Sequence, residues 1–359
     1  METIQVRNPR NGEFDYEFRI PEPGELQSRA SELRAAQRGW AAGSVEFRIE
    51  VLQRWKAALA AHREDIVDAL SRDTGRHLVA QAEFAGVVGS IDRWCAQAPQ
   101  LIREDEGRSQ VQPSITYRSQ LVPYALVGVI SPWNFPLTLS LIDAVPALLA
   151  GCAVYIKPSE IAPRFVDPLL DSIKDVPELA TVLDFVLGDG RAGAELVGLV
   201  DVVCFTGSVK TGRSVGQAAA KHFIPAFLEL GGKDPVIVTE SADLELATDV
   251  VLRASVLATG QACQSLERVY VQDTVYDAFV ARLVEKARAV PLNYPDIHQG
   301  ILGPLIFDRQ ADTIAEQLGD AVKHGARILC GGLVEFHGGG HWIRPTVVVD
   351  VDHRMKLMT

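Results

Sequence analysis

Residues 124–130 read YALVGVI, an uncharged run that is β-branched at Val127, Val129 and Ile130 and is ended by Ser131-Pro132. A run this short, apolar and β-branched reads as a strand buried on both faces. Four later runs share its character: AVYIKP (153–158), VLDFVLG (182–188), DVVCFTGS (201–208) and DPVIV (234–238). Helix-like segments separate them at 137–150, 164–175, 191–199 and 209–221. Continuous apolar strands alternating with helices predict a doubly wound α/β domain with a parallel, Rossmann-like sheet. Ligands of such sheets sit at the carboxyl ends of the strands. The segments leaving those ends are SPWNFP, KPSE, GDGRAG, FTGS and LGGK, so the fold itself nominates them as binding loops.

Toward the N-terminus the pattern is helical. Leu26, Ala30, Leu33 and Trp40 recur at near-helical spacing in 24–40, and Phe47, Val51, Leu52, Trp55 and Leu59 form a stripe in 44–70. Ser44 is the expected N-cap of the second stretch, Gly75 lies in the turn beyond it, and a third helix is expected over 78–98. The stretch VQPSITYRSQL (111–121) reads as a polar hairpin whose exposed edge invites another chain. Past Lys233 the α/β alternation restarts, with helices expected at 243–258, 274–288 and 308–325 and strands at 268–272, ARILCGG and PTVVVDV. The expected organisation is therefore a cofactor domain of 1–110 and 122–230, a hairpin at 111–121 and a second α/β domain of 231–359. The second domain stops without a terminal helix or closing strand.

The totals bound the function. The 359 residues exceed one ordinary core and carry a formal charge of −11, which disfavours nucleic acid or an anionic membrane as partner. Cysteines 95, 152, 204, 263 and 330 are odd in number and lack metal-ligand spacing, which suits a reducing, cytoplasmic setting and no metal. Residues 121–156 hold one charge, Asp143, but Pro123, Pro132, Pro136 and Pro146 break them into pieces too short to span a membrane.

Three groups carry nucleophilic chemistry. Cys263 lies in TGQACQSLERVY (259–270), a loop leading into a strand; one cysteine alone is more often a small buried hydrophobe, and it is the company of Glu229 and Asn134 that points to a nucleophile. Glu229 in FLELGGKDP sits between Leu228 and Leu230, where apolar neighbours would raise its pKa toward that of a general base; pairing with Lys233 is the alternative. Asn134 in SPWNFP offers an amide to a developing oxyanion, or simply caps its loop. For a nucleotide, Gly207 and Ser208 open a helix after a strand, where N–H groups and the helix dipole favour anions. GDGRAG (188–193), with Gly190 at its centre, matches G-x-G-x-x-G but lacks the acidic residue expected about 20 positions on. Lys157 and Glu160 in KPSE are placed to bond ribose hydroxyls, or to pair with each other. A carboxylate beside the 2′-OH favours NAD over NADP.

PWNFP, KPSE, FTGS, ELGGK and GQAC occur in this order, and together they resemble the NAD(P)-dependent aldehyde dehydrogenase superfamily, with GPLI (303–306) and RPTVVVDV (344–351) extending the likeness. The resemblance implies that Cys263 attacks an aldehyde, that the Asn134 amide and the Cys263 N–H hold the oxyanion, and that Glu229 activates water against the thioester. It implies NAD, with NADP the alternative, bound by Lys157, Glu160, Gly207, Ser208 and Leu230 in a cleft lined by Ile130, Ser131 and Trp133. Gly190 falls in a turn near the adenosine rather than in a phosphate cradle. The hairpin matches the family's oligomerisation element, so a homo-oligomer, dimer or tetramer, is implied. Members of that superfamily continue past the position of Thr359 with a Glu-x-Phe-Gly-Pro-type segment that grips the nicotinamide ribose, so this chain resembles a C-terminally shortened member. Two other readings stay open on the residues. One is a catalytically impaired nucleotide-binding or structural relative. The other is a CoA-acylating or phosphorylating enzyme, which would not need the water-activating Glu229.

Overall fold

The computed structural model describes residues 2–359. The chain opens with an antiparallel hairpin, β1 (Thr3–Arg7) and β2 (Phe14–Arg19). Four helices follow: α1 (Glu25–Ala42), α2 (Val45–Ala61), α3 (Arg63–Thr74) and α4 (His77–Leu101). Ser44 caps α2 as its sequence position suggested, accepting a hydrogen bond from the Phe47 N–H at 3.2 Å. The single helix expected over 44–70 is two, because the chain turns at His62. Gly75, at φ 65°, ends α3 in the left-handed conformation that other residues adopt only with strain. A small hairpin of β3 (Glu106–Arg108) and β4 (Thr116–Arg118) comes next. Its first strand lies upstream of the 111–121 stretch, which supplies only the turn and the second strand.

The main sheet then assembles: β5 (Leu126–Ile130), α5 (Pro136–Leu141), α6 (Ala144–Ala150), β6 (Ala153–Lys157), α7 (Val166–Lys174), α8 (Pro177–Ala180), β7 (Leu183–Phe185), α9 (Gly190–Val197), β8 (Val202–Gly207), α10 (Val209–His222) and β9 (Ala226–Leu230). All five strands run parallel in the order β7-β6-β5-β8-β9. Every residue of β5 and β6 is buried. Successive side chains of a strand point to opposite faces, so both faces are covered. Helices α1, α6, α9 and α10 pack on the sheet and supply that cover. One large core joins α1–α4 to it, with Trp40 Nε1–H bonded to the Leu148 carbonyl (2.8 Å) and Trp55 Nε1–H to Ser172 Oγ (3.1 Å).

From β5 the chain moves outward through β6 to β7, then returns to the other side of β5 for β8 and β9. The reversal between β5 and β8 is a topological switch point, where loops from adjacent strand ends diverge and leave a crevice. DPVIV, expected among the strands of this sheet, does not join it. It forms β10 (Asp234–Val238) and pairs in parallel with β11 (Leu266–Val271), reached through α11 (Leu244–Val256). The sheet's fifth place goes instead to β9, a strand the sequence did not announce.

The remainder is α12 (Asp273–Ala289), α13 (Arg309–Lys323), β12 (Arg327–Cys330), β13 (Val334–His337), β14 (Gly340–Ile343) and β15 (Val347–Val349). β13 and β14 form a hairpin about Gly338-Gly339, both at positive φ, and β12 pairs antiparallel with β15. The small sheets β10–β11 and β12–β15 flank a cleft of about 740 Å³ lined by Val251, Phe279, Leu283, Val347 and their neighbours. Only small clusters of buried side chains lie under this half of the chain, one around Val238 and Phe279 and one around Met355 and Met358. Among the described residues no helix is long and apolar enough to cross a membrane, and no group of three or more His, Cys, Asp or Glu side chains could hold a metal ion.

Candidate active site

Because the strands are parallel, their carboxyl ends share one edge, and twelve candidates distribute over it and the turn that faces it. Ile130 ends β5, and Ser131, Trp133 and Asn134 occupy the loop that follows. Lys157 ends β6, with Glu160 three residues on. Gly190 starts α9, Gly207 ends β8, Ser208 caps α10, and Glu229 and Leu230 end β9. Cys263 reaches the site from the other half of the chain, in the turn between α11 and β11.

That turn has an unusual backbone. Ala258 (φ 54°), Thr259 (62°) and Gly260 (69°) are consecutively left-handed. A non-glycine residue pays roughly 1–2 kcal/mol for this conformation, so surrounding contacts must hold it. Thr259 Oγ1 donates to the Gly303 carbonyl (3.2 Å) and accepts from the Gly303 N–H (2.9 Å). The Gln261 side chain donates to the Pro304 carbonyl (3.1 Å) and accepts from the Ile306 N–H (2.9 Å). The GPLI segment is thus a brace for the turn. Asn134 Nδ2 donates to the Gln261 carbonyl at 2.9 Å, two residues before Cys263, and its second amide hydrogen stays uncommitted. Asn134 Oδ1 is buried with no partner among the described residues.

Cys263 is the exposed thiol of the five. Burial pushes Cys152 up to about 11 and Cys204 up to about 12, which keeps both protonated and inert near neutrality. Glu229 departs from expectation. Its carboxylate is exposed rather than enclosed, since Leu228 and Leu230 alternate to the opposite face of β9, and Lys233 pairs with Glu267 (3.7 Å) instead. Asp143, which the sequence reading noted only as an isolated charge, has its pKa raised by burial and by the charge of Glu229. A second carboxylate therefore lies within electrostatic reach of the candidate base. Nothing in linear spacing links positions 143 and 229; β5, β8 and β9 bring them together.

At the nucleotide end, Lys157 is buried and donates to Glu160 Oε2 at 2.9 Å. The two expected ribose ligands pair with each other, and an ammonium with one named partner retains donors for hydroxyls. A nicotinamide nucleotide fits the surroundings. A Cβ added at Gly190 would meet nothing within 4 Å, so open space lies in front of α9. The two candidate phosphate helices differ in their caps. Asp189 places a carboxylate on the α9 N-terminus, accepting from the Arg191 N–H (2.9 Å), whereas α10 is capped by the neutral Ser208 hydroxyl. An incoming phosphate is repelled at the first and tolerated at the second. Ser131 is buried, and its hydroxyl lies 2.7 Å from that of Ser140. The Trp133 ring lies 6.3 Å, centroid to centroid, from Phe307, an aromatic neighbour absent from the motif-based reading.

Known proteins resemble this chain along nearly its whole length. 4,4′-Diapolycopene aldehyde oxidase of a Methylomonas species is 34% identical over 365 residues, covering 100% of this chain and 67% of that protein. Succinate-semialdehyde dehydrogenase [NADP(+)] GabD of Escherichia coli is 32% identical over 365 residues, covering 99% and 74%. The solved structure of PutA from Anabaena variabilis superposes with a TM-score of 0.97 at 53% identity, over 99% of this chain and 76% of that one. The chain spans 63–74% of the length of the first three curated relatives it matches. These relatives support the α/β fold and the aldehyde-oxidising reading with a nicotinamide nucleotide, and they do not favour the catalytically impaired alternative. With the family model described as "Aldehyde dehydrogenase family" matching residues 1–359, this chain belongs to the aldehyde dehydrogenase family.

Proposed function

We propose that this chain oxidises an aldehyde to the carboxylic acid, with Cys263 as nucleophile, Asn134 as oxyanion donor and Glu229 as general base. The observation that carries the reading is the 2.9 Å bond from Asn134 Nδ2 to the Gln261 carbonyl, which holds an amide donor two residues from an exposed thiol. The Cys263 thiolate adds to the aldehyde carbon, and the carbonyl electron pair moves onto oxygen. The free Asn134 amide hydrogen and the Cys263 backbone N–H hold that oxyanion. A nicotinamide nucleotide held in the cleft would supply the hydride acceptor needed to oxidise this adduct to the Cys263 thioester. Glu229 then takes a proton from water as the water oxygen adds to the thioester carbon. The C–S bond breaks, Cys263 leaves as thiolate and the acid is released.

Lys157 and Glu160 would hold the adenosine ribose, Gly207 and Ser208 the pyrophosphate, and Ile130, Trp133 and Leu230 the walls between. The half-buried Glu160 carboxylate would accept from a 2′-OH and repel a 2′-phosphate, which supports NAD, with NADP as the alternative named for the E. coli relative. The aldehyde is not narrowed by Gln264 and Leu266 beside Cys263, and the relatives carry names as different as diapolycopene aldehyde oxidase and succinate-semialdehyde dehydrogenase. Self-association through the β3–β4 hairpin is supported by exposed Ile115 and Tyr117, and a cytoplasmic setting by five free thiols.

The test is aldehyde-dependent formation of NADH or NADPH by the 359-residue chain, with Cys263→Ala assayed alongside over a panel that includes succinate semialdehyde. Turnover in the parent and none in the variant is expected. Equal turnover in both would remove Cys263 from the mechanism.

A further inference from the structure

Arg76 lies at the N-terminus of α4 and is buried to 2% exposure, outside every motif that identifies the site. Its guanidinium Nη1 donates to the Ala258 carbonyl at 2.9 Å, and Nη2 donates to the Asn134 carbonyl. One planar fork therefore joins the main chain of the oxyanion-donor loop to the left-handed turn that delivers Cys263. Its carbon centre also lies 5.4 Å from the centroid of the Phe135 ring, within cation–π range. Seven residues along the same helix, on the same face, the buried Glu83 carboxylate accepts from the Thr138 N–H at 2.8 Å. Helix α4 thus grips the 131–138 loop at two points, by its carbonyl at Asn134 and by its amide at Thr138. The Asn134 side chain adds a separate link to the same turn through Gln261.

Two polar atoms at this junction, Arg76 Nε and Asn134 Oδ1, are buried without partners among the described residues. Unsatisfied buried polar atoms are uncommon and costly, and a packing role alone would be filled as well by an apolar side chain of similar volume. Burial lowers the Arg76 guanidinium to about 10, still charged at neutral pH, so both of its carbonyl bonds are charge-assisted.

We propose that Arg76 is a positioning residue for aldehyde oxidation: it sets the distance between the Asn134 amide and the Cys263 turn by bridging the carbonyls of Asn134 and Ala258. The proposal rests on the assignment of Asn134 and Cys263 given above. Lysine at this position supplies a single ammonium that cannot present a rigid fork to two carbonyls.

The experiment compares the parent chain with Arg76→Met, Arg76→Lys and Asn134→Ala, and with Arg76→Met combined with Asn134→Ala. Misplacing a catalytic group by about 1 Å costs on the order of 100-fold, so Arg76→Met should lower kcat by about 10- to 100-fold. The KM for the nucleotide and the rate of Cys263 alkylation by iodoacetamide should stay within about twofold, because neither needs the oxyanion donor. Arg76→Lys should fall between Arg76→Met and the parent. In the Asn134→Ala background, Arg76→Met should cost less than about threefold further, since the group it positions is gone. Effects that multiply in the double variant, or a kcat for Arg76→Met within about twofold of the parent, overturn the proposal. Amide hydrogen exchange supplies a readout independent of turnover. Arg76→Met should speed exchange in 131–138 and 256–264 together and leave β5 and β6 unchanged. Activity absent from the parent chain would sink the functional assignment, while unchanged exchange in both segments would sink the bridge.

Discussion

Glu83 and Glu229 are both glutamates with apolar neighbours in sequence, yet their surroundings are opposite. Glu83 points inward from α4 and is fully enclosed, whereas Glu229 is exposed at the end of β9. Sequence neighbours predict burial only when the periodicity of the element is known, and AFLEL does not display the period of a strand. The motif residues themselves were legible, because PWNFP, ELGGK and GQAC hold them in short recognisable contexts. Arg76 and Glu83 were not, since their partners lie 58 and 55 positions away in the chain. Burial raises the Glu83 carboxyl to about 7, a shift opposed by the backbone N–H of Thr138 and by the charge of Arg76. The folded chain therefore binds this proton more tightly than the unfolded chain, whose glutamates titrate near 4.5. Its contribution to stability is complete below about pH 4.5 and is lost as pH rises through about 7. Glu83→Gln keeps an acceptor for Thr138 and carries no titration. We expect it to be more stable than the parent by up to about 3 kcal/mol at pH 8, with the gap closing by about pH 5. Urea unfolding at the two pH values measures this, and a gap independent of pH would show that Glu83 is not the titrating group.

Elements differed in legibility for a physical reason. β5, β6 and β8 lie inside the sheet, where covering both faces demands continuous apolar runs, and such runs stand out in sequence. β9 is an edge strand with Phe227 63% exposed, and AFLEL carries little of that signature. The left-handed turn at 258–260 is written in Ala and Thr, which do not announce positive φ. Gly75 does announce it, and its role is wider than ending α3. A Cβ there would lie 2.4 Å from Pro304 Cγ and 2.5 Å from Cδ, on the stiff ring that belongs to the brace of the Cys263 turn. Gly75→Ala combines a strained φ with this clash and should destabilise by about 2–3 kcal/mol. Gly86, in the interior of α4, meets nothing within 4 Å of an added Cβ. Gly86→Ala should therefore stabilise by about 0.5–1 kcal/mol through helix propensity. Chemical denaturation of both variants checks the opposite signs. A neutral Gly75→Ala would mean that the 303–306 segment yields freely, and that its contacts do not hold the turn.

At the scale of the whole molecule, the two halves of the chain bury apolar surface unequally. The large core under α1–α4 and the five-stranded sheet contrasts with the small clusters beneath residues 234–359. Exposed apolar side chains occur along both halves, and one run of them lies on the β3–β4 hairpin and the chain leaving it, where Val111 is 96% and Val122 77% exposed. We expect apolar side chains exposed on this hairpin to favour association with a second copy. The formal charge of −11 works against it, because like-charged copies repel. Salt screens that repulsion with a Debye length of about 8 Å near 0.15 M, while burial of apolar side chains is little affected. Association through the hairpin should therefore strengthen as ionic strength rises, opposite to the behaviour of an interface built from ion pairs. The pair of changes Ile115→Lys and Val122→Asp places charges on the exposed face without touching the sheet or the site. We expect light scattering to give an oligomeric mass for the parent that grows with salt and protein concentration, and a monomeric mass for the variant with aldehyde-dependent turnover retained per chain. An oligomer that persists in the variant would place the contact elsewhere, with the cleft between β10–β11 and β12–β15 the next face to alter.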